Sequence, residues 1–297
     1  MREIIILWKL ADNFCMNEIT YHLIDLPLTR LHYLKCGHGK PLVILPATIS
    51  AIDNWLNLVQ FLAQKFTVYF FELPGHGQSK AFISTYKSDL VARTVEDFLD
   101  KLGISRFYLM GFSFGGILTI KTLLRLGERV ENIMCFAPCV SYKAVRYSPV
   151  RFNMLRQLAR FSTGKSAQKS YLKIMHNKRT VDLMILLLKK LGHVEADENL
   201  KNKLLSLPEK TLEVLTYQVN EILTTDFEQL GIVIPQKCLF GMSINDPLLD
   251  YDVTKRIMRK LFRDIRVKEF DFPFHQPPEP FTVEYLQQHF GYLLNEV

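Results

Sequence analysis

The chain has 297 residues, of which 48% are hydrophobic and 23% charged, and its formal net charge is +7. That length can bury a sizeable core, as two domains or as one large domain with an insertion, and the balance is that of an ordinary soluble globular protein. Five cysteines, Cys15, Cys36, Cys135, Cys139 and Cys238, are odd in number and form no CxxC pair, so neither a disulfide framework nor a zinc site is indicated and a reducing cytoplasm is the expected location.

The apolar run at residues 4–8 is too short to span a membrane, and no small-residue cleavage site follows it. Residues before Met16 differ in character from those after it, and a natural start at Met16 is the expectation. Residues 19–26 and 31–36 alternate as the two strands of an opening hairpin. Residues 41–46 are an apolar run without alternation, which predicts a strand covered on both faces. Helical spacing follows over 54–64, with Asp53 as the expected N-cap. A second buried strand at 66–71 runs into the glycine-rich turn Pro74-Gly75-His76-Gly77-Gln78-Ser79. A helix is predicted over 88–102, ended by Gly103.

Residues 106–110 read as the next buried strand and 117–124 as the next helix. Between them lies Gly111-Phe112-Ser113-Phe114-Gly115, with Gly116 behind it. A serine flanked by glycines between strand and helix is the context of a nucleophile elbow: the chain reverses so sharply that a Cβ on either glycine would clash, and the reversal lifts the hydroxyl clear of the sheet. A further strand is predicted over 130–137. Regular alternation of strand and helix means a parallel, doubly covered sheet.

From about 140 to 231 the rhythm breaks, leaving only helical segments such as 152–161, 181–191 and 212–223. Alternation resumes with a strand at 236–240, a helix over 253–261, a strand at 266–272 and a last helix over 282–294. The expected organisation is therefore an α/β core over 1–139 and 233–297, with a helical cap over 140–232 lying across the carboxyl edge of the sheet, where open α/β folds bind ligands. No internal repeat or low-complexity tract occurs. Charge is concentrated in this insertion: residues 141–190 hold twelve Lys/Arg against one acid, Asp182, a net of +11 against +7 for the whole chain. Such a field suits an anionic substrate, a carrier protein or an anionic membrane surface, or else a solvated helix face that keeps the protein soluble, whereas no nucleic-acid-binding motif accompanies it.

A serine nucleophile needs a base, and the base needs an orienting acid. Of eight histidines, His22 and His32 fall in early strands, His38 and His76 in loops, His176 and His193 in the insertion and His289 in the last helix. Only His275 stands just beyond the last strand, in a stiff proline-rich loop at the edge where the serine emerges. Asp246, after the strand ending at Phe240, is placed to orient it, with Asp250 and Asp252 as reserves that also suit helix capping. The order Ser113, Asp246, His275 is serine, acid, histidine.

In these residues the chain resembles the α/β-hydrolase fold superfamily, with cap-bearing esterases and carbon–carbon bond hydrolases as the nearest look-alikes. The resemblance runs from about residue 19 to the C-terminus and rests on the elbow, the turn at 74–79, Asp53 and Trp55 after the third strand, Asp246, and His275 with Glu279-Pro280 behind it. It implies an α/β-hydrolase fold, a serine hydrolase cleaving a carboxylic ester, no metal or organic cofactor, and an oxyanion hole from the backbone N–H groups of Thr48 and Phe114. A serine at the elbow sets the chain apart from epoxide hydrolases and haloalkane dehalogenases, which carry aspartate there. Three departures stand out: Pro46-Ala47-Thr48 where His-Gly is usual, Glu72 in place of aspartate, and Phe274 before the histidine. The first leaves open a low-turnover binding or receptor protein that keeps the triad, and the basic insertion leaves open a thioesterase acting on an acyl carrier. Residues 183–188, an apolar stripe, suit either the lining of an acyl pocket or plain helix packing.

Overall fold

The computed structural model describes residues 17–49, 51–175, 177–190, 198–275 and 282–296. The expected start at Met16, Cys15, His176, His193 and the pair Glu279-Pro280 lie outside these residues.

Strands β1 (Ile19–Asp25) and β2 (Arg30–Cys36) pair as the antiparallel opening hairpin. Then follow β3 (Lys40–Leu45), α1 (Leu56–Leu62), β4 (Phe66–Phe71), α2 (Ser88–Lys101), β5 (Phe107–Phe112), α3 (Gly115–Leu126) and β6 (Val130–Phe136). The helices α4 (Pro149–Ser162), α5 (Lys165–Met175), α6 (Lys178–Lys190), α7 (Glu198–Ser206) and α8 (Glu209–Thr224) all lie between β6 and β7 (Lys237–Ser243). The chain closes with α9 (Tyr251–Leu261), β8 (Ile265–Phe270), α10 (Val283–Phe290) and the single turn α11 (Leu293–Glu296). Helices α5 and α7 have no counterpart in the periodicity reading.

The eight strands form one sheet in the order β1-β2-β4-β3-β5-β6-β7-β8, parallel from β4 through β8 and antiparallel where β2 meets β1 and β4. Both faces are covered. Along β3, Leu42 and Ile44 point into one core with α1 and α10, while Val43 and Leu45 point into the other with α2, α3 and α9. The missing alternation in this strand's sequence is therefore a strand with no solvent face. Because β4 lies on one side of β3 and β5 on the other, successive crossovers leave in opposite directions, and α1 and α3 cover opposite faces. The carboxyl ends of β3 and β5 are the switch point of the strand order, the place at which such sheets bind ligands.

One local expectation fails. Asp53 does not cap a helix: a short 3-10 turn, Ile52–Trp55, precedes α1, and neither start has a side-chain cap. Trp55 and Ile52 are pulled into the core beneath it, which tightens the first turn and moves the helix start past the aspartate.

Candidate active site

The elbow follows from backbone geometry. Ser113 sits between β5 and α3 with φ of +50°, a left-handed conformation that a side-chain-bearing residue adopts at a cost. Surrounding bonds hold it there: its N–H donates to Phe136 O at 3.0 Å, and its carbonyl accepts from Gly116 N and Cys139 N, each at 2.8 Å. Such a reversal brings neighbouring chain too close for side chains. A Cβ on Gly111 would overlap Thr119 Oγ1 and the Gly115 carbonyl, one on Gly115 would overlap the Leu45 carbonyl, and one on Gly116 would overlap Pro138. All three glycines are required by close approach.

Against Ser113 Oγ, at 2.8 Å, lies His275 Nε2, and on the far side of the ring Nδ1 is 2.7 Å from Asp246 Oδ2. The Asp246 side chain is fully buried. Its second oxygen, Oδ1, accepts from the backbone N–H groups of Leu248 and Leu249 at 2.8 and 2.9 Å. With Oδ1 occupied by two donors, Oδ2 is left to accept from His275 Nδ1–H, which makes Nε2 the lone-pair nitrogen facing the serine hydroxyl. The three residues singled out by the sheet edge thus form one hydrogen-bonded chain. The reserves do something else: Asp250 caps α9 by accepting from Val253 N at 3.0 Å, and Asp252 lies in that helix's first turn. Phe274, beside the histidine, stacks on Phe272 with ring centroids 5.1 Å apart.

Thr48 belongs to the loop leaving β3. Since Leu45 pairs with Gly111 and the Leu45 and Pro46 carbonyls rest on the space left by Gly115, this loop passes over the start of α3. Among the described residues, neither the Thr48 N–H nor the Phe114 N–H donates to another group. The Thr48 carbonyl accepts from His76 Nε2 at 2.8 Å. Burial pushes the His76 ring's pKa down, with backbone carbonyls including that of Thr48 opposing the shift, so the ring is held neutral. Next to Thr48, Ile49 packs against a cluster of Met175, Val181, Ile185, Leu204 and Leu212 from α5 to α8.

Glu72, the second departure, is fully engaged. Its Oε2 accepts from Gln78 N at 2.6 Å and contacts His32 Nδ1 at 3.0 Å, and the carboxylate fills the space that a Cβ on Gly77 would need. The longer acid is accommodated because Gly77 adopts φ of +49° without a side chain.

Two neighbours of the site are invisible to the sequence pattern. Cys139 Sγ lies 3.9 Å from Ser113 Oγ, and burial pushes its thiol pKa up to about 12, so it stands beside the hydroxyl as a neutral, weakly polar wall. His76 reads in sequence as one residue of a turn, and only its 28-residue reach to Thr48 gives it a role. The apolar stripe at 183–188 divides: Ile185 is buried within the insertion, whereas Leu183 and Leu186 are 55% and 49% exposed. Helix α6 packs through its other side, with Val181 and Ile185. Among the described residues, no group of three His, Cys, Asp or Glu side chains is arranged to hold a metal ion, and no helix is long and apolar enough to cross a membrane.

This architecture has known counterparts. The chain is 31% identical over 99 residues to a soluble epoxide hydrolase of Corynebacterium sp., covering 33% of this chain and 35% of that protein. It is 34% identical over 111 residues to the 2-hydroxy-6-oxononadienedioate/2-hydroxy-6-oxononatrienedioate hydrolase of Paraburkholderia phymatum, covering 35% and 38%. The chain thus spans little more than a third of the length of these curated relatives. Among solved structures, a thermophilic esterase from Thermogutta terrifontis superposes with a TM-score of 0.67 at 16% identity, covering 93% of this chain and 98% of that one. Residues 40–222 match the alpha/beta hydrolase fold family, and the chain belongs to it.

Proposed function

We propose that the chain is a serine hydrolase that cleaves a carboxylic ester through an acyl-enzyme. The observation that carries this reading is the unbroken hydrogen-bonded chain Ser113 Oγ, His275, Asp246 at 2.8 and 2.7 Å. His275 Nε2 takes the Ser113 proton as Oγ attacks the ester carbonyl carbon, and the carbonyl electron pair moves to oxygen. The Thr48 and Phe114 N–H groups, free of other acceptors among the described residues, donate to that oxyanion. Collapse breaks the bond to the alkoxy group, which leaves as the alcohol with the proton from His275. Water then enters with His275 again as base, and the acid departs to restore Ser113. Asp246 holds the ring in the productive tautomer throughout. Helices α4 to α8 act as the cap, a reading supported by the contact of their apolar cluster with Ile49 beside the oxyanion loop.

The test is labelling of Ser113 by a fluorophosphonate together with turnover of esters of graded acyl length, with Ser113→Ala as control. Labelling and turnover that vanish in the variant support the ester hydrolase. Labelling without turnover points to a binding protein that keeps the triad, and no labelling of the folded chain overturns the nucleophile. Similarity to the 2-hydroxy-6-oxononadienedioate hydrolase supports a second reading, hydrolysis of a carbon–carbon bond next to a carbonyl. A substrate of that class belongs in the same panel, beside a carrier-bound thioester as the candidate anionic partner of the basic insertion.

A further inference from the structure

Helix α4 exposes an apolar stripe. Val150, Met154, Leu158 and Phe161 recur at spacings of four, four and three, which places them on one face, and they are 79%, 57%, 57% and 74% exposed. The opposite face is the one that packs: Ala159 is buried, and Phe152 stacks on Tyr142 with ring centroids 5.6 Å apart. The stripe is therefore additional to what holds the helix in place. Of the fifteen large hydrophobic side chains exposed among the described residues, seven lie between Val150 and Leu186, so apolar exposure concentrates in the same stretch as the positive charge.

The charge is also unspent. Lys143 and Arg146, before the helix, are paired with Asp226, Glu228 and Asp250. By contrast, Arg151, Arg160, Lys169, Lys173, Lys178 and Arg179 are exposed, and none has a carboxylate partner among the described residues. Arg151 and Arg160 flank the stripe on its two sides, where their stems can lie along an apolar boundary while the guanidinium groups stay in water.

We infer that the outer face of α4 docks on an anionic lipid bilayer, with the Val150 to Phe161 stripe seated at the boundary of headgroups and acyl chains and the unpaired Lys and Arg side chains of α4, α5 and α6 on the lipid phosphates. A helix lying in the interface needs this pairing of an apolar face with basic flanks. Charge decides the occupant. A second copy would bring its own +11 segment against this one, and nucleic acid offers nothing to an apolar stripe. This surface is independent of the reading of Ser113.

The test is co-sedimentation of the full chain with phosphatidylcholine vesicles, with and without phosphatidylglycerol. The expected result is binding to the anionic vesicles at least ~10-fold stronger than to neutral ones, weakening as salt rises. Combined Met154→Ser and Phe161→Ser substitutions, both at exposed positions, are expected to lower partitioning ~10-fold or more, with the circular dichroism spectrum and turnover of a soluble ester unchanged. Ser113→Ala should bind vesicles as the wild type does, so failure of the catalytic reading leaves this result intact. Absence of co-sedimentation, equal binding to neutral vesicles or undiminished binding of the folded double variant overturns the proposal. So does a dimer in sedimentation velocity that the double variant dissociates.

Discussion

His76 Nε2 and the Thr48 carbonyl oxygen are 2.8 Å apart, which ties the turn after β4 to the loop after β3. A carbonyl oxygen only accepts, so Nε2 carries the hydrogen and Nδ1 the lone pair, and Nδ1 is buried without a hydrogen-bond partner among the described residues. The ring serves as a fixed neutral donor to the loop whose N–H is proposed to hold the oxyanion. In the proposed reaction it acts through Thr48, as a positioning residue.

Replacing His76 by alanine is therefore expected to lower kcat by ~10²-fold, the lower end of what loss of one oxyanion donor costs, with KM changed little. His76→Gln keeps a donor at similar reach and should recover most of that loss. Steady-state kinetics on both variants decide it: an alanine variant with wild-type kcat would show that the loop holds itself.

The same ring makes stability depend on pH. Its folded pKa is depressed below the ordinary histidine value of about 6.5, so the neutral ring's contribution is fully present above that value and is lost as pH falls through the folded pKa. The melting temperature of the wild type should fall below about pH 6.5, and that limb should be flatter in His76→Gln. Parallel acid limbs in the two proteins would assign the loss to other groups.

Gly115 and Gly103 separate two reasons for a glycine. A Cβ on Gly115 meets the backbone carbonyl of Leu45 well under 3.0 Å, so Gly115→Ala must move a central strand or the elbow. Gly103 has φ of +67° but nothing within 4 Å of its absent Cβ. Its replacement by alanine should cost only ~1–2 kcal/mol of left-handed strain, whereas Gly115→Ala should cost more than ~3 kcal/mol or prevent folding. Denaturant midpoints give both values, and similar costs would refute the distinction.

What the sequence makes legible here is periodic or punctuated. Apolar runs such as 41–46 and 66–71 reveal buried strands, and the loops leaving β5, β7 and β8 bring Ser113, Asp246 and His275 to one sheet edge. Other features depend on contacts far apart in the chain. The role of His76 rests on a bond spanning 28 residues, and Asp53 loses its cap because the burial of Ile52 and Trp55 tightens the chain ahead of α1. Helices α5 and α7 are short and interrupted by lysines, and Met175 and Leu204 bury in a cluster shared with α6 and α8, so few apolar positions mark either helix in the sequence. An apolar stripe on α6 does not say which side will pack, and two of its leucines point outward.

Glu221 joins the insertion to the core. On α8, it accepts from the Ser88 N–H at 2.9 Å and from the Ser88 hydroxyl, at the start of α2. Burial raises its pKa, with the Ser88 hydrogen bonds opposing. A raised folded value means that its contribution is present below the unfolded pKa of about 4.3 and is lost as pH rises through the folded pKa. Glu221→Gln keeps an acceptor and cannot ionise, so its melting temperature should decline less than the wild type's over that rise. Glu221→Ala leaves the buried Ser88 N–H without an acceptor and should cost ~1–3 kcal/mol at every pH. A wild-type pH profile retained in Glu221→Gln would remove this carboxyl from the account.

Asp246→Asn tests the tautomer argument directly. Two backbone donors, Leu248 N and Leu249 N, claim one side-chain oxygen, so an asparagine keeps its carbonyl there and turns its amide toward His275. An amide donating to Nδ1 forces the ring hydrogen onto Nε2, which then faces Ser113 as a donor and cannot take its proton. Stability should change little, because volume and backbone bonds are preserved, while kcat should fall by ~10⁴, as when a triad acid is amidated in comparable sites. Asp246→Ala instead empties the buried site, leaves both N–H groups without acceptors, and should cost stability as well as rate. Near-wild-type turnover in a folded Asp246→Asn variant would show that His275 does not need Asp246 to present its lone pair, and would refute the proton route proposed for Ser113.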